Sequence, residues 1–258
     1  MTRPVVVTGS DSGIGRATAL VLAAAGFPVG VTWHTDRDGA RLTAARVRDA
    51  GAPCAMRHLD LAENPGDAVR ELAEQLGGLW GLVNCAGANH RAPSLDDDPA
   101  AFRRSIEITL TGPVLCAQAA ARIMVAAGAG GRIVNVTSIH EHEPLPRAAA
   151  YSAGKAGLGM ATQVLALELA PHRVTANAIA PGHIATPMTG KDGVDPERVR
   201  LPAIPLGRPG AAAEVAALIA HLASDAAAYT TGASFVVDGG LLLAAVLPLQ
   251  DAVEGRAA

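Results

Sequence analysis

Seven short runs, most of them rich in valine, alternate with longer segments of helical composition, and this alternation constrains the fold more than any other feature of the sequence. The runs fall near 4–8, 28–33, 54–59, 80–84, 132–137, 173–179 and 233–237, and helices are expected near 14–25, 37–50, 66–76, 99–127, 149–169 and 211–223. Strands separated by helices pair in parallel, because each crossover carries the chain back to the same end of the sheet. The helices then cover both faces, and right-handed crossovers make the sheet doubly wound. The expectation is an α/β fold with a doubly wound, parallel, seven-stranded sheet and helices on both faces. A chain of 258 residues, 50% hydrophobic and 17% charged, can bury a sizeable core. No linker, repeat or low-complexity tract divides it, so 1–258 reads as a single domain. The longest irregular stretch, about 181–210, contains Pro181, Pro187, Pro196, Pro202, Pro205 and Pro209. A loop that long inside a compact domain is usually functional, which points to a substrate loop or lid; the alternative is a disordered insert.

Net charge is −3, which gives no global attraction to nucleic acid or to an anionic membrane. No apolar run reaches the ~18 residues a spanning helix needs. The N-terminus leads directly into the first strand, without the pattern of a signal peptide. Cys54, Cys85 and Cys116 lack CxxC spacing and read as reduced, buried thiols, so the expected location is cytoplasmic.

The chain has two lysines and two tyrosines, and one of each falls in Tyr151-Ser152-Ala153-Gly154-Lys155. Residues four apart on a helix share a face. An ammonium held near a phenol favours the phenolate, and such a phenol can exchange a proton with a substrate oxygen. Ser138 follows the apolar run 132–137, where a hydroxyl can fix that oxygen against the phenol. Taken alone, Tyr151 and Lys155 are better read as ordinary helix-surface residues.

The first strand ends in Thr8-Gly9-Ser10-Asp11-Ser12-Gly13-Ile14-Gly15, and a helix follows directly. The glycines leave room for a tight turn and for close approach of backbone to a pyrophosphate, which would sit on the free N–H groups of the helix. The spacing is GxxxGxG rather than the GxGxxG of the general dinucleotide fingerprint. No lysine follows the last glycine, so this is not a Walker loop.

With these residues in view, the chain resembles the classical short-chain dehydrogenase/reductase family from Thr8 to about Gly240. The glycine turn looks like its cofactor motif, and Asn84-Cys85-Ala86-Gly87 looks like its NNAG segment. Ser138, Tyr151 and Lys155 match its catalytic set. Pro181, Gly182 and Thr186 match its segment beside the nicotinamide, and Val237-Asp238-Gly239-Gly240 its last strand and turn. The resemblance implies a Rossmann-like sheet, a nicotinamide cofactor, and hydride transfer between that cofactor and a carbonyl or secondary alcohol. It makes Tyr151 the acid/base, Ser138 the substrate orienter, and Lys155 the holder of the nicotinamide ribose. Gly9, Ser12, Gly13, Ile14 and Gly15 would cradle the phosphates. Asp60 and Leu61 would meet the adenine, with Asn84, Ala86 and Gly87 along the adenosine side. Pro181, Gly182, Ile184 and Thr186 would meet the carboxamide. Asp60 taken alone reads as a turn or N-cap aspartate. Thr109 stands where the family usually has an Asn that holds a water for proton relay; a hydroxyl can donate and accept, which allows a modified relay, but its geometry differs, and reduced or specialised turnover with intact cofactor binding is the expectation. The resemblance also implies a homotetramer built on the apolar helices 99–127 and 149–169.

The residues after the second strand decide between cofactors. An acid there bonds the adenosine 2′-OH, whereas an arginine favours a 2′-phosphate. Trp33, His34 and Thr35 are not acidic and Arg37 can pair with a phosphate, so NADP(H) is favoured, with NAD(H) possible. Asp36 reads as a turn or helix cap. Ser12 points the other way, because many NADP-preferring members carry a basic residue there.

On the substrate side, His140, Asn89, His183 and Met188 are the candidate pocket residues. His140 and His142, flanked by Glu141 and Glu143, invite a metal reading. An extended segment would send the two imidazoles to opposite sides, so pocket wall is the better reading and no metal is expected. These segments look most like bacterial sugar-dehydrogenase-like and ketoacyl-reductase-like members. One rival function is a 3-oxoacyl-thioester reductase, for which Arg103 and Arg104 would offer a basic patch to an acidic carrier; such pairs are usually a solvated helix face. The other is a cofactor-binding sensor or scaffold with little turnover, resting on Thr109 alone. The apolar tail 241–247 either joins a neighbouring subunit, covers the pocket, or packs on its own domain.

Overall fold

The computed structural model of the chain describes residues 3–246. The main elements in order are β1 (Val5–Val7), α1 (Gly13–Ala24), β2 (Val29–Trp33), α2 (Arg37–Asp49), β3 (Cys54–His58), α3 (Pro65–Leu76) and β4 (Gly81–Asn84). There follow α4 (Pro99–Ile106), α5 (Gly112–Ala127), β5 (Gly131–Val136), α6 (Ala149–Leu169) and β6 (Val174–Pro181). The chain then runs through β7 (Ile184–Ala185), β8 (Gly210–Ala211), α7 (Ala212–Ala223) and β9 (Ser234–Val237). Seven strands form one sheet in the order β3-β2-β1-β4-β5-β6-β9, with every neighbouring pair parallel. This is the expected Rossmann-like architecture. The chain changes direction of travel across the sheet between β1 and β4, and a crevice opens beyond the carboxyl ends of those strands.

Side chains alternate across the sheet as the two-residue period requires. Val5 and Val7 pack on one side with Leu22 of α1 and Ile219 and Leu222 of α7. Val6 packs on the other with Leu72 of α3, Met124 of α5 and Ile133 of β5. Asn84 and Asn135 bridge the middle of the second layer. Asn84 Nδ2 donates to Asn135 Oδ1 and to the Pro113 carbonyl, each at 2.9 Å, and Asn135 Nδ2 donates to Thr162 Oγ1 at 2.8 Å.

Three sequence expectations change here. The helix expected over 99–127 is interrupted by a π-helical turn, Glu107–Thr111. The Gly112 N–H reaches back five residues to the Glu107 carbonyl, and Pro113 has no N–H to offer Thr109, so the regular ladder cannot continue. An 18-residue window within Pro99–Ala127, with a mean hydropathy of 1.4, is also apolar enough by length and composition to cross a membrane. Half of it is buried, and Cys116, Ala120 and Met124 belong to the core beneath the sheet. Finally, 181–210 is not structureless. Its ends are joined where β7 pairs with β8, and it carries 3-10 turns at Pro187–Thr189 and Pro196–Arg198. Arg208 ties this segment together, reaching Glu197 at 2.9 Å and both oxygens of Glu214 on α7 at 3.0 and 2.9 Å.

Candidate active site

The glycine turn is shaped by contacts between backbone and small side chains. Gly9 has φ +61° and Gly13 φ +49°, conformations that favour glycine. A Cβ on Gly9 would lie 2.7 Å from the Ala86 Cα, and one on Gly15 would collide with the Gly9 carbonyl. Thr32 Oγ1 accepts the Gly9 N–H at 2.9 Å, while Thr8 Oγ1 accepts the N–H groups of Cys85 and Ala86 at 2.9 and 3.0 Å. The ends of β1, β2 and β4 are thereby laced together. Ser12 precedes α1 without a side-chain cap, and no acid occupies the first turn. The N–H groups of that turn remain available to an anion, which fits a pyrophosphate.

One cavity of about 680 Å³ runs from this turn to the end of β5 and α6. At its end beside β2 and β3 lie His34, Thr35, Asp60 and Leu61. Asp60 Oδ1 accepts the Ala62 N–H at 2.9 Å, and Arg104 Nη2 donates to both carboxylate oxygens at 3.1 and 3.0 Å. His34 Nε2 stands 3.4 Å from the same group. Burial pushes the Asp60 carboxyl up, but the Ala62 amide and the Arg104 guanidinium more than offset it and hold the group below its usual range. Asp11 lines the cavity too, and burial raises its carboxyl.

At the other end Ser138, His140, Tyr151 and Lys155 come together. Lys155 is 5% exposed. Its Nζ donates to the Val136 carbonyl at 2.9 Å and lies 5.8 Å from the centre of the Tyr151 ring. Ser138 Oγ accepts the His140 N–H at 3.2 Å, which leaves its own O–H to be donated. The His140 and Tyr151 rings meet edge-on with centroids 6.3 Å apart. Asn89, His183 and Met188 line the same end. Burial, helped by Lys191, pushes the His183 imidazole below its usual range.

Of the sequence candidates, Gly9, Ser12, Gly13, Ile14, Ala86, Gly87, Pro181, Gly182, Ile184 and Thr186 also line the cavity. Four do not. Arg37 sits outside it, with its guanidinium 5.9 Å from the Trp33 ring. Asn84 is turned into the core network described above. Gly15 lies under the turn, where it permits close approach to Gly9. Thr109 is fully buried, and its hydroxyl donates to the Ser105 carbonyl at 2.6 Å within its own helix while facing Gly154, so it is not poised as the expected relay. The segment after Ser138 is a 3-10 turn, Ile139–Glu141, rather than extended. His140 still separates from His142, which pairs with Glu141 at 2.8 Å. Among the described residues no three His, Cys, Asp or Glu side chains group as a metal site. Leu241 lines the cavity, and Leu247 lies outside the described residues. Asp36 caps α2, accepting the Gly39 N–H at 2.8 Å.

Sequence reading missed Asp11, Arg91 and Arg104 as lining residues. Asp11 could have been flagged by its place inside the glycine turn. Arg104, read as a solvated helix face, carries no local signal for its distant partner Asp60. The three thiols are unpaired, and burial pushes Cys54 up to about 11 and Cys85 and Cys116 up to about 12.

A family model described as enoyl-(acyl carrier protein) reductase matches residues 9–242. The chain is 48% identical over 246 residues to the uncharacterized oxidoreductase YohF of Escherichia coli (strain K12), covering 95% of this chain and 97% of that protein. Acetoin dehydrogenase from Enterobacter cloacae is similar in structure, with a TM-score of 0.89 and 49% identity over 95% of this chain and 97% of that one. Carveol dehydrogenase from Mycobacterium avium in complex with NAD superposes with a TM-score of 0.85 and 26% identity, covering 93% and 98%.

Proposed function

The chain belongs to the short-chain dehydrogenase/reductase family and is an oxidoreductase of alcohol or ketone groups, and we propose that Tyr151 is the acid/base for hydride transfer to or from a small ketone or secondary alcohol. The observation that carries this reading is the state of Lys155. A buried ammonium with a single carbonyl acceptor, and no ion pair among the described residues, is costly unless a ligand supplies further acceptors. Ribose hydroxyls and a phenolate beside it are such acceptors. A bound nicotinamide cofactor supplies or accepts the hydride. The Ser138 hydroxyl orients the substrate oxygen, Tyr151 gives or takes its proton, and the Lys155 ammonium stabilises the phenolate. The free first-turn amides after Ser12 would hold the pyrophosphate, Asp60 and Leu61 the adenine, and Ile184 and Thr186 the carboxamide. The segment 181–210 would serve as the substrate lid.

NADP(H) is proposed as the favoured cofactor, with NAD(H) also accepted. Its support is His34 and Thr35, neither acidic, at the tip of β2; Arg37 adds none from its place beside Trp33. Acetoin-like compounds are the first substrates to try, since a relative at 49% identity bears the name acetoin dehydrogenase. The thioester-reductase alternative keeps Arg103 of its basic pair, while Arg104 is engaged by Asp60. The sensor alternative keeps Thr109, whose hydroxyl is bonded within its own helix; the buried Lys155 beside Tyr151 weighs against it, since a sensor has no need of that pair. A homotetramer is proposed from the exposed apolar side chains of Leu115 on α5 and Met160, Val164 and Leu167 on α6. Unpaired thiols support the cytoplasm as location.

The test is oxidation of NADPH and of NADH by the purified protein with acetoin, diacetyl and simple ketones, alongside Tyr151→Phe. Turnover that the variant loses is the expected result. Cofactor binding without turnover of any compound would overturn the reading.

A further inference from the structure

The reacting end of the cavity has a definite hydrogen-bond polarity. Ser138 Oγ accepts from the His140 amide at 3.2 Å and so donates its proton outward. Tyr151, in the protonated form needed for reduction, is a second donor. Both suit the oxygen of a carbonyl. His140 is different. Its Nδ1 lies 3.1 Å from the Glu143 carbonyl oxygen, which can only accept, so Nδ1 carries the ring proton. In the neutral imidazole Nε2 is then an acceptor. No protein donor meets Nε2 among the described residues, and His140 lines the same cavity as Tyr151, whose ring it meets edge-on. His183, on the opposite loop, has no such assignment, because no protein partner fixes either of its ring nitrogens and its Nε2 is buried without one.

We infer that His140 is a specificity-determining residue whose Nε2 accepts a hydrogen bond from a hydroxyl on the carbon next to the reacting centre, selecting α-hydroxyketones and vicinal diols. This rests on the hydride-transfer reading above and adds to it the polarity of the second oxygen. A vicinal dione presents an acceptor to an acceptor and is disfavoured. A simple ketone or mono-alcohol leaves Nε2 unpaired. The site therefore reads one donor beside one acceptor, two carbons in a row.

The experiment compares butane-2,3-diol with 2-butanol in oxidation, and acetoin with diacetyl in reduction, for the wild type, His140→Leu and His140→Gln. The diol preference is expected to be about tenfold in the wild type and to fall toward unity in His140→Leu. An amide can present either its oxygen or its NH2, so His140→Gln should restore the diol preference and raise diacetyl relative to acetoin. A structural role for His140 would move all four substrates together. Unchanged ratios in His140→Leu, with turnover retained, would overturn this inference alone. Absence of wild-type turnover on all four compounds would overturn the hydride-transfer reading, and this inference with it.

Discussion

The two ends of the cavity are built in different ways. The half under β1, β2 and β4 is made of backbone and absences: glycines that let chains touch, an uncapped helix, and threonine hydroxyls that hold loop amides. The half beyond β5 and β6 is made of side chains, with Ser138, His140 and Tyr151 on a short turn and a helix, and His183 and Met188 on a segment stitched closed by β7 and β8. A cradle of backbone offers every ligand the same groups, so it suits an invariant phosphate. A wall of side chains can be altered one residue at a time, so it is where substrate choice resides.

That contrast can be broken by experiment. Tyr151→Phe should lower kcat by about 10²- to 10⁴-fold while the cofactor Kd, read from NADPH fluorescence, stays within about twofold; a parallel loss of affinity would mean the two ends are not separable. Gly15→Ala should do the reverse. Its methyl group collides with the Gly9 carbonyl, an overpacking worth about 1–3 kcal/mol, and the loss should appear as weakened cofactor binding and a lowered Tm.

Arg104→Ala sharpens the comparison, because it tests a charged side-chain pair at the backbone end. The pair is partly exposed, so the expected effect is about 0.2–1 kcal/mol, a few-fold in cofactor Kd that shrinks with added salt. The smallest effect concerns the segment 181–210. Glu214 is lowered from 4.5 to about 2, chiefly by Arg208. Its contribution is fully present above pH 4.5 and is lost as pH falls through about 2. Glu214 is largely exposed, so solvent screening holds this below about 1 kcal/mol. Hydrogen exchange around 187–200 should quicken over that window, and Glu214→Gln should remove the pH dependence.

The strands, helices and glycine turn could be read from the sequence because their signals are local: a period, a cap, a spacing of a few residues. Tyr151 and Lys155 were legible for the same reason, one helical turn apart. Arg104 was not, since its role depends on an aspartate 44 residues away. Arg37 misled because an arginine at the right position along the chain says nothing of where its long side chain turns. Asn84 and Thr109 misled in a related way. Each is a polar residue near the site whose hydrogen bonds are taken by the core. The π-turn at Glu107–Thr111 had a cue in Pro113, but a proline early in a helix is more often innocuous.

That π-turn sets the phase of one helix against the next. On its near side α4 carries Arg104, which grips the Asp60 carboxylate. On its far side α5 begins with Gly112, where a Cβ would strike the Leu61 backbone. The stretch 60–61 is thus held from both sides of a single extra residue. An α-helix advances about 100° per residue, so deleting one residue from 107–111 would keep the helix continuous yet swing Arg104 about a quarter-turn away from Asp60. The extra residue acts as an angular spacer, and the Asp60 end of the cavity depends on its length rather than on its chemistry.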